Sequence, residues 1–128
     1  MTFLLDTNAL LFAAFSGKSL SRAAAEILRN DQHVLLVSAM SAWEIATKVR
    51  LGKLTVAKAF ETLLLEEVSK AGYLLLGISV DHALRAGRLA GRHKDPFDRM
   101  IAAQAIALDI PVISSDVKLD GFGVRRIW

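Results

Sequence analysis

The sequence contains no cysteine and no Pro- or Ser-rich linker. Without cysteine, a disulfide framework and thiolate metal sites are both excluded. The three scattered histidines argue against a histidine-rich zinc site. No run approaches the ~18 uninterrupted apolar residues of a membrane span, and the first residues lack the basic region of a signal peptide. We therefore expect a soluble, cytoplasmic protein with no membrane association.

The composition is that of a folded domain. Of the 128 residues, 53% are apolar and 23% are charged, which is too apolar for a disordered chain. This length predicts one domain over 1–128. The net charge of +3 and the pI near 9.5 permit a polyanionic partner without requiring one.

Short apolar runs alternate with segments of helical periodicity. Strands are predicted at 3–5, 33–37, 73–78, 112–114 and 124–127, and helices at 9–15, 21–28, 42–51, 56–70, 82–89 and 96–108. The runs LLLGI and PVI are typical of strands buried on both faces. The alternation predicts an α/β fold with a mostly parallel sheet and helices on both sides.

Four acidic residues are expected at one edge of that sheet. Asp6 and Asp116 directly follow predicted strands. Glu44 lies in the first turn of a helix expected to start around Ser41, and Asp98 lies in the first turn of the helix that starts at Pro96. Because ligands of such sheets bind at the carboxyl ends of the strands, the four side chains are candidates for one site.

Each acid also has a local structural explanation. Asp6 could cap the helix that follows it, Asp116 could form an Asx turn, and Glu44 could form a capping box with Ser41. Asp98 could favour the dipole of a helix that Asp95 caps and Pro96 begins. Four independent caps, however, need not share one edge of the sheet. Shared placement therefore favours a functional cluster.

A converging set of carboxylates predicts a cation. Two carboxylates ~4 Å apart repel each other by about 4 kcal/mol at an effective dielectric constant near 20. The cluster must therefore protonate or recruit a positive ion. Hard oxygen ligands favour Mg²⁺ or Mn²⁺, and either ion can assist the hydrolysis of a phosphodiester bond.

Four segments carry a family resemblance: LLDTNALL, SAMSAWEIATKVRLGKL, DPFDRMIAAQA and PVISSD. In this order they resemble the PIN-domain ribonucleases, and most closely the VapC-type toxins of VapBC toxin–antitoxin modules. The resemblance covers nearly the whole chain. It implies a single PIN domain over 1–128, a PIN-like three-layer α/β/α sandwich whose central, mostly parallel sheet has about five strands.

The same resemblance implies a Mg²⁺- or Mn²⁺-dependent endoribonuclease, the toxin of a type II toxin–antitoxin system. Asp6, Glu44 and Asp98 would hold the metal, and Asp116 would bind it or orient the attacking water. Either Ser114 or Ser115 precedes the last acid. The supporting polar residues assigned from the family pattern are Asn8, Ser41 and Ser115.

The resemblance also implies protein partners. A VapB-like antitoxin would cover the site, and the chain would form a homodimer, with a hetero-tetramer or hetero-octamer as the complex with the antitoxin. The helices predicted at 9–15 and 56–70 carry more apolar residues than one buried face requires. They are candidates for the antitoxin or dimer surface.

Basic residues are candidates for RNA phosphate contacts. His82, Arg85, Arg88 and Arg92 have the spacing of one helical stripe. Instead of binding RNA, this stripe could simply be a helix face exposed to solvent. Lys48, in a second basic group, could pair with Glu44 rather than with a phosphate. His82 and His93 are expected at the surface rather than in catalysis, and Trp43 is expected in the core rather than stacked on a base. The residues assigned to RNA are Arg85, Arg88, Arg92, Lys94, Arg99 and Lys48.

Three other functions fit part of the pattern. A PIN-like domain could bind RNA or a protein without cutting. A haloacid-dehalogenase-like phosphatase also begins with an acid after its first strand, but that mechanism needs a second acid where this chain has Asn8. A receiver domain needs an acidic pair where the chain has Leu5 and Asp6.

Overall fold

A computed structural model describes residues 1–15, 19–54 and 58–128. Its five strands form one entirely parallel sheet in the order β3-β2-β1-β4-β5. This confirms the predicted α/β fold with a five-stranded central sheet. The strands are β1 (Thr2–Leu5), β2 (Val34–Ser38), β3 (Leu74–Leu76), β4 (Val112–Ile113) and β5 (Arg126–Ile127).

Helices connect the strands, and all six predicted helices have counterparts among the described residues. The predicted helix 56–70 is two helices that break at Leu63, and its first residues lie outside the described part of the chain. No described helix is long and apolar enough to cross a membrane. The helices are α1 (Thr7–Phe15), α2 (Arg22–Arg29), α3 (Ala39–Arg50), α4 (Lys58–Thr62), α5 (Leu64–Lys70), α6 (Val80–Arg88) and α7 (Pro96–Leu108), followed by a 3₁₀ helix (Val117–Phe122).

Two hydrophobic cores lie on opposite faces of the sheet. Along β1, Phe3 and Leu5 join one core and Leu4 joins the other, as the alternation of side chains along a strand requires. The first core is closed mainly by α1, α2, α4 and α5, and the second mainly by α6 and α7. The sheet is therefore covered by helices on both sides.

The expectation that both apolar runs are buried strands is half right. Val112 and Ile113 of β4 are fully buried. Leu74 and Leu75 of β3, however, are 56% and 55% exposed. β3 lies at the end of the sheet with only β2 beside it, and an apolar run does not reveal whether its strand is central or at an edge.

A buried glutamine joins the sheet to α6 and α7. The Gln104 side chain on α7 is fully buried. Its Oε1 accepts a 2.6 Å hydrogen bond from the hydroxyl of Ser38, at the end of β2. Its Nε2 donates to the carbonyl of Gly77 at 3.1 Å and lies 3.2 Å from Nδ1 of His82. These bonds fix α7 against the carboxyl edge of the sheet.

Replacing Gln104 with leucine should destabilise the protein, because the fully buried Ser38 hydroxyl would lose its acceptor. We expect Gln104→Leu to lower the free energy of unfolding by about 1–3 kcal/mol in urea titrations. Ile106→Gln, at a site 39% exposed on the same helix, should change it by less than about 0.5 kcal/mol. Equal effects of the two substitutions would contradict the anchoring role of Gln104.

Candidate active site

Asp6 occupies the carboxyl end of the central strand. Its backbone N–H donates to the carbonyl of Ile113 at 3.0 Å, so the pairing of β1 with β4 fixes its position. The side chain is buried, and both of its oxygens accept hydrogen bonds. Oδ1 accepts from the backbone N–H of Thr7 at 2.8 Å, and Oδ2 accepts from the hydroxyl of Ser114 at 2.6 Å. The carboxylate is therefore held in one orientation.

Ser114 connects Asp6 to Asp116. Besides donating to Asp6, its fully buried hydroxyl accepts a 3.0 Å bond from the backbone N–H of Asp116. Asp116 caps the 3₁₀ helix, and its Oδ1 accepts from the backbone N–H of Lys118 at 3.0 Å, as the predicted Asx turn requires. The assignment of Ser115 as the supporting residue is corrected, because it is Ser114, the first residue after β4, that contacts both acids.

Glu44 enters the site from α3, but not from its first turn. The expected start near Ser41 is wrong, because β2 runs directly into the helix and the Ser38 side chain caps it at Met40. There is no capping box at Ser41, whose hydroxyl instead accepts a 2.9 Å bond from Thr7 in the buried interior. Glu44 is 6% exposed.

Lys48 lies against Glu44. Its ammonium is 2.6 Å from Oε2 of Glu44, as the four-residue spacing predicts. The same ammonium interacts with the charges of Asp95 and Asp98 on α7. The residue assigned to RNA is therefore occupied within the acidic cluster, where it offsets part of the negative charge.

Asp98 enters from the first turn of α7. Asp95 caps this helix through bonds from the backbone N–H groups of Phe97 at 2.8 Å and Asp98 at 3.3 Å, and Pro96 takes the first helical position, as predicted. The Asp98 side chain is 13% exposed, and its Oδ2 lies 2.6 Å from Nε2 of His93. The sequence predicts a surface position for His93, but its side chain is 23% exposed and contacts Asp98. One signal for the contact between His93 and Asp98 is present in the sequence. His93 lies five residues before Asp98, just ahead of the residue that caps α7.

The electrostatics of Asp6 reflect its acidic neighbours. Burial, the largest cause, together with the negative charges of Asp98 and Glu44, raises the pKa of Asp6 from 3.8 to about 6, against the opposing hydrogen bonds from Ser114 and Thr7. Burial also raises the pKa of Asp98, with contributions from the charges of Asp95 and Asp116. The charges of Asp98 and Glu44 thus act on Asp6, and those of Asp95 and Asp116 act on Asp98, as expected for carboxylates near the same edge of the sheet.

The cluster extends to the rim of the pocket. Ligand atoms of His93, Asp98 and Asp116 lie within 4.8 Å of one another. Among the described residues, no hydrogen bond occupies Oδ1 of Asp98 or Oε1 of Glu44. Carboxylate oxygens are thus free to bind a cation, and oxygen donors of this kind suit Mg²⁺ or Mn²⁺.

Arg99 does not face the site. Its guanidinium donates to the backbone carbonyls of Ala86, Leu89 and His93, and it stacks 5.5 Å from the centre of the Phe122 ring. The assignment of Arg99 to phosphate contact is therefore corrected. Its charge holds the connection between α6 and α7, which carries His93.

The basic stripe expected from 82 to 92 is shorter than predicted. α6 ends at Arg88, where the backbone of Leu89 becomes extended, so Arg92 leaves the helix face. Arg85 pairs with Asp81 at 2.8 Å. Arg88, Arg92 and Lys94 are exposed, and Asn8 is exposed in the first turn of α1.

Trp43 is not in the core. It is 57% exposed, and the expectation of a buried position is wrong because its indole contacts the half-buried ring of Phe97 on α7 and belongs to neither hydrophobic core. Helical spacing alone did not identify which side of α3 is covered.

Comparison with known proteins gives a family and a set of similar folds. The family model of the PIN domain matches residues 3–123. No curated protein matches the sequence significantly. VapBC2 from Rickettsia felis, solved bound to a promoter DNA fragment, is similar with a TM-score of 0.71 and 17% identity, over 99% of this chain and 98% of that one.

Two further structures are similar. VapBC-1 from nontypeable Haemophilus influenzae has a TM-score of 0.65 and 19% identity, over 99% of this chain and 97% of that one. FitAcB from Neisseria gonorrhoeae has a TM-score of 0.64 and 19% identity, over 98% and 96%. At these identities the likeness is one of fold.

The raised pKa of Asp6 predicts that ionising this side chain lowers the free energy of unfolding of the metal-free protein. The folded protein retains the Asp6 proton up to about pH 6, whereas the unfolded chain releases it near pH 3.8. The free energy of unfolding therefore falls as the pH rises between these values. We expect Asp6→Asn to be more stable than the metal-free wild type at pH 7.5 by up to about 3 kcal/mol, with the difference vanishing below pH 4.

Urea titrations in EDTA across this pH range would measure the effect. Asp81→Asn, which removes an exposed and ion-paired carboxylate of α6, is the control and should give no gain at pH 7.5. An Asp6→Asn protein less stable than the wild type at pH 7.5 would contradict the cluster.

Proposed function

The chain belongs to the PIN domain family, and from that membership we propose that it is a Mg²⁺- or Mn²⁺-dependent endoribonuclease, the toxin of a toxin–antitoxin pair. The observation that carries the proposal is the gathering of acidic side chains at one edge of the sheet. The charges of Asp98 and Glu44 act on the buried Asp6, and ligand atoms of Asp98, Asp116 and His93 lie within 4.8 Å of one another. Burial of carboxylates is unfavourable unless a cation or a paired group compensates them, so the arrangement favours an ion-binding centre, as the proposed hydrolysis requires.

The residues present fit a divalent ion. Asp6 and Asp98 would hold it directly, with Glu44 and Asp116 completing the set or binding through water. The described neighbourhood supplies Lys48 and His93 as its positive or protonatable groups, which leaves the four acids incompletely neutralised. A bound ion would remove this repulsion.

The site residues divide the work of phosphodiester hydrolysis. A bound divalent ion supplies positive charge that polarises the phosphoryl oxygen and lowers the pKa of a water molecule. Asp6 is oriented by Thr7 and Ser114, so the position of its charge is fixed. Asp116 uses Oδ1 in its turn, and its Oδ2 is the group we assign to accept the proton of the attacking water.

The proposed substrate is single-stranded or looped RNA, and exposed cations beside the site support it. Arg88 ends α6, and Arg92 and Lys94 lie on either side of His93 in the loop between α6 and α7. They can contact phosphates without entering the acidic cluster. Contacts to phosphates position the RNA strand but do not select the base at the cleavage site.

The proposed partner is a VapB-like antitoxin. The structural neighbours are toxin–antitoxin complexes, and this chain has a groove of about 300 Å³ between α1 and the segment formed by α4 and α5. Leu65, on the outer side of α5, is 69% exposed. The groove suits an apolar segment of a partner, and assembly as a homodimer stays a prediction. The apolar lining includes Leu10, Ala13, Ala14, Phe60, Val68 and Tyr73.

Purified protein should cleave single-stranded RNA in Mg²⁺ or Mn²⁺ and not in EDTA. We expect Asp6→Asn and Asp98→Asn each to lower the rate roughly a hundredfold or more, because each removes a charge that holds the ion. The exposed-acid variant Asp81→Asn should cleave at the wild-type rate. Gel analysis of a labelled RNA measures all three.

Two results would contradict the proposal. One is RNA cleavage unaffected by both site substitutions. The other is phosphate release from a small phosphoester by a protein that leaves RNA intact, which would indicate a phosphatase.

A further inference from the structure

Trp43 and Phe97 form an aromatic pair at the rim of the acidic pocket. Their ring centroids lie 5.2 Å apart with the planes at 75°, an edge-to-face contact. Trp43 is 57% exposed, whereas Phe97 is half-buried and packs against the core beneath α7. Phe97 therefore anchors the indole, and much of the indole surface remains open to solvent.

The pair lies directly beside the proposed chemistry. Trp43 precedes Glu44 on α3, and Phe97 precedes Asp98 on α7. Their contact joins the two helices that carry these acids. Because each ring belongs to the residue before an acid of the site, the pair offers an aromatic surface to a base next to a phosphate bound among the carboxylates.

Cations lie on both sides of the pair. Arg50 follows Trp43 by seven residues on α3, which places it on the same helix face about 10 Å further along. Lys94 precedes Phe97 by three residues. Both side chains are exposed, and neither has a carboxylate partner within salt-bridge distance among the residues that the structure describes. This charge complements a phosphate backbone on either side of a stacked base.

We propose that Trp43, supported by Phe97, stacks on one nucleobase of single-stranded RNA bound at the acidic site. The inference rests on the proposed endoribonuclease function and adds a binding subsite to it. Any base presents a π face, so the contact positions the strand without selecting a sequence. An apolar protein segment could also cover Trp43, but the open cations on both sides favour RNA.

Fluorescence anisotropy with a labelled single-stranded RNA of about 12 nucleotides tests the subsite. The parent protein is Asp98→Asn, which keeps the RNA intact. Adding Trp43→Ala should weaken RNA binding by about 5- to 150-fold, the range measured for loss of one stacked base. Trp43→Phe should retain most of the affinity, because it keeps an aromatic face.

Phe15→Ala is a matched control. Phe15 is 50% exposed and makes an edge-to-face contact with Phe60 at 5.3 Å and 74°, but it lies at the far end of α1 from Asp6. Its removal should leave RNA affinity unchanged. Circular dichroism and urea titration verify that each variant is folded.

A series of RNAs that each lack one base gives the decisive comparison. One abasic position should weaken binding to the parent protein by about the same factor as Trp43→Ala, and it should weaken the Trp43→Ala protein no further. The subsite would be overturned if Trp43→Ala binds RNA within twofold of the parent affinity. It would also be overturned if every abasic position weakens the Trp43→Ala protein by the same factor as it weakens the parent.

Failure of the subsite is distinguishable from failure of the proposed function. Wild-type protein that cleaves RNA in Mn²⁺, together with Trp43→Ala binding at parental affinity, overturns the stacking contact alone. Wild-type protein that neither binds nor cleaves RNA overturns both.

Discussion

The structure depends on the crowding of carboxylates at one buried edge of a parallel sheet. The register of β1 against β4 places Asp6 beside Ser114, which also contacts Asp116. The second turn of α3 and the first turn of α7 bring Glu44 and Asp98 toward Asp6. Two such charges ~4 Å apart repel by about 4 kcal/mol. Burial is the main cause of the raised pKa of Asp6, and the charges of Asp98 and Glu44 add to it. A divalent ion would compensate both the burial and the repulsion.

A rigid frame keeps the acids in place against their repulsion. Gln104 fixes α7 to the end of β2, and Arg99 fixes the α6–α7 connection through three carbonyls. His93, carried by that connection, holds Asp98. Charged and polar groups away from the chemistry therefore serve the site by preorganising it, which explains why an arginine next to Asp98 is turned inward.

Much of this could be predicted from the sequence. Asp6 and Asp116 follow strands, Asp95 and Pro96 mark the start of α7, and the five-stranded α/β fold and the PIN family resemblance are confirmed. Other features could not be predicted. The exposure of Trp43 and the direction of Arg99 depend on contacts between separate elements, which periodicity and spacing do not contain. The start of α3 and the position of His93 depend on local backbone geometry, since Ser38 and Ser41 are equally typical cap residues.

The central claim is that Asp6, Glu44 and Asp98 share one divalent ion. The most direct test is a crystal of the protein soaked in Mn²⁺ at a pH above 7, where Asp6 is ionised, with anomalous diffraction measured for manganese. The account predicts an anomalous peak at coordination distance from both Asp6 and Asp98. The account is contradicted if those crystals show no peak in the pocket, or if manganese binds only at carboxylates elsewhere on the surface.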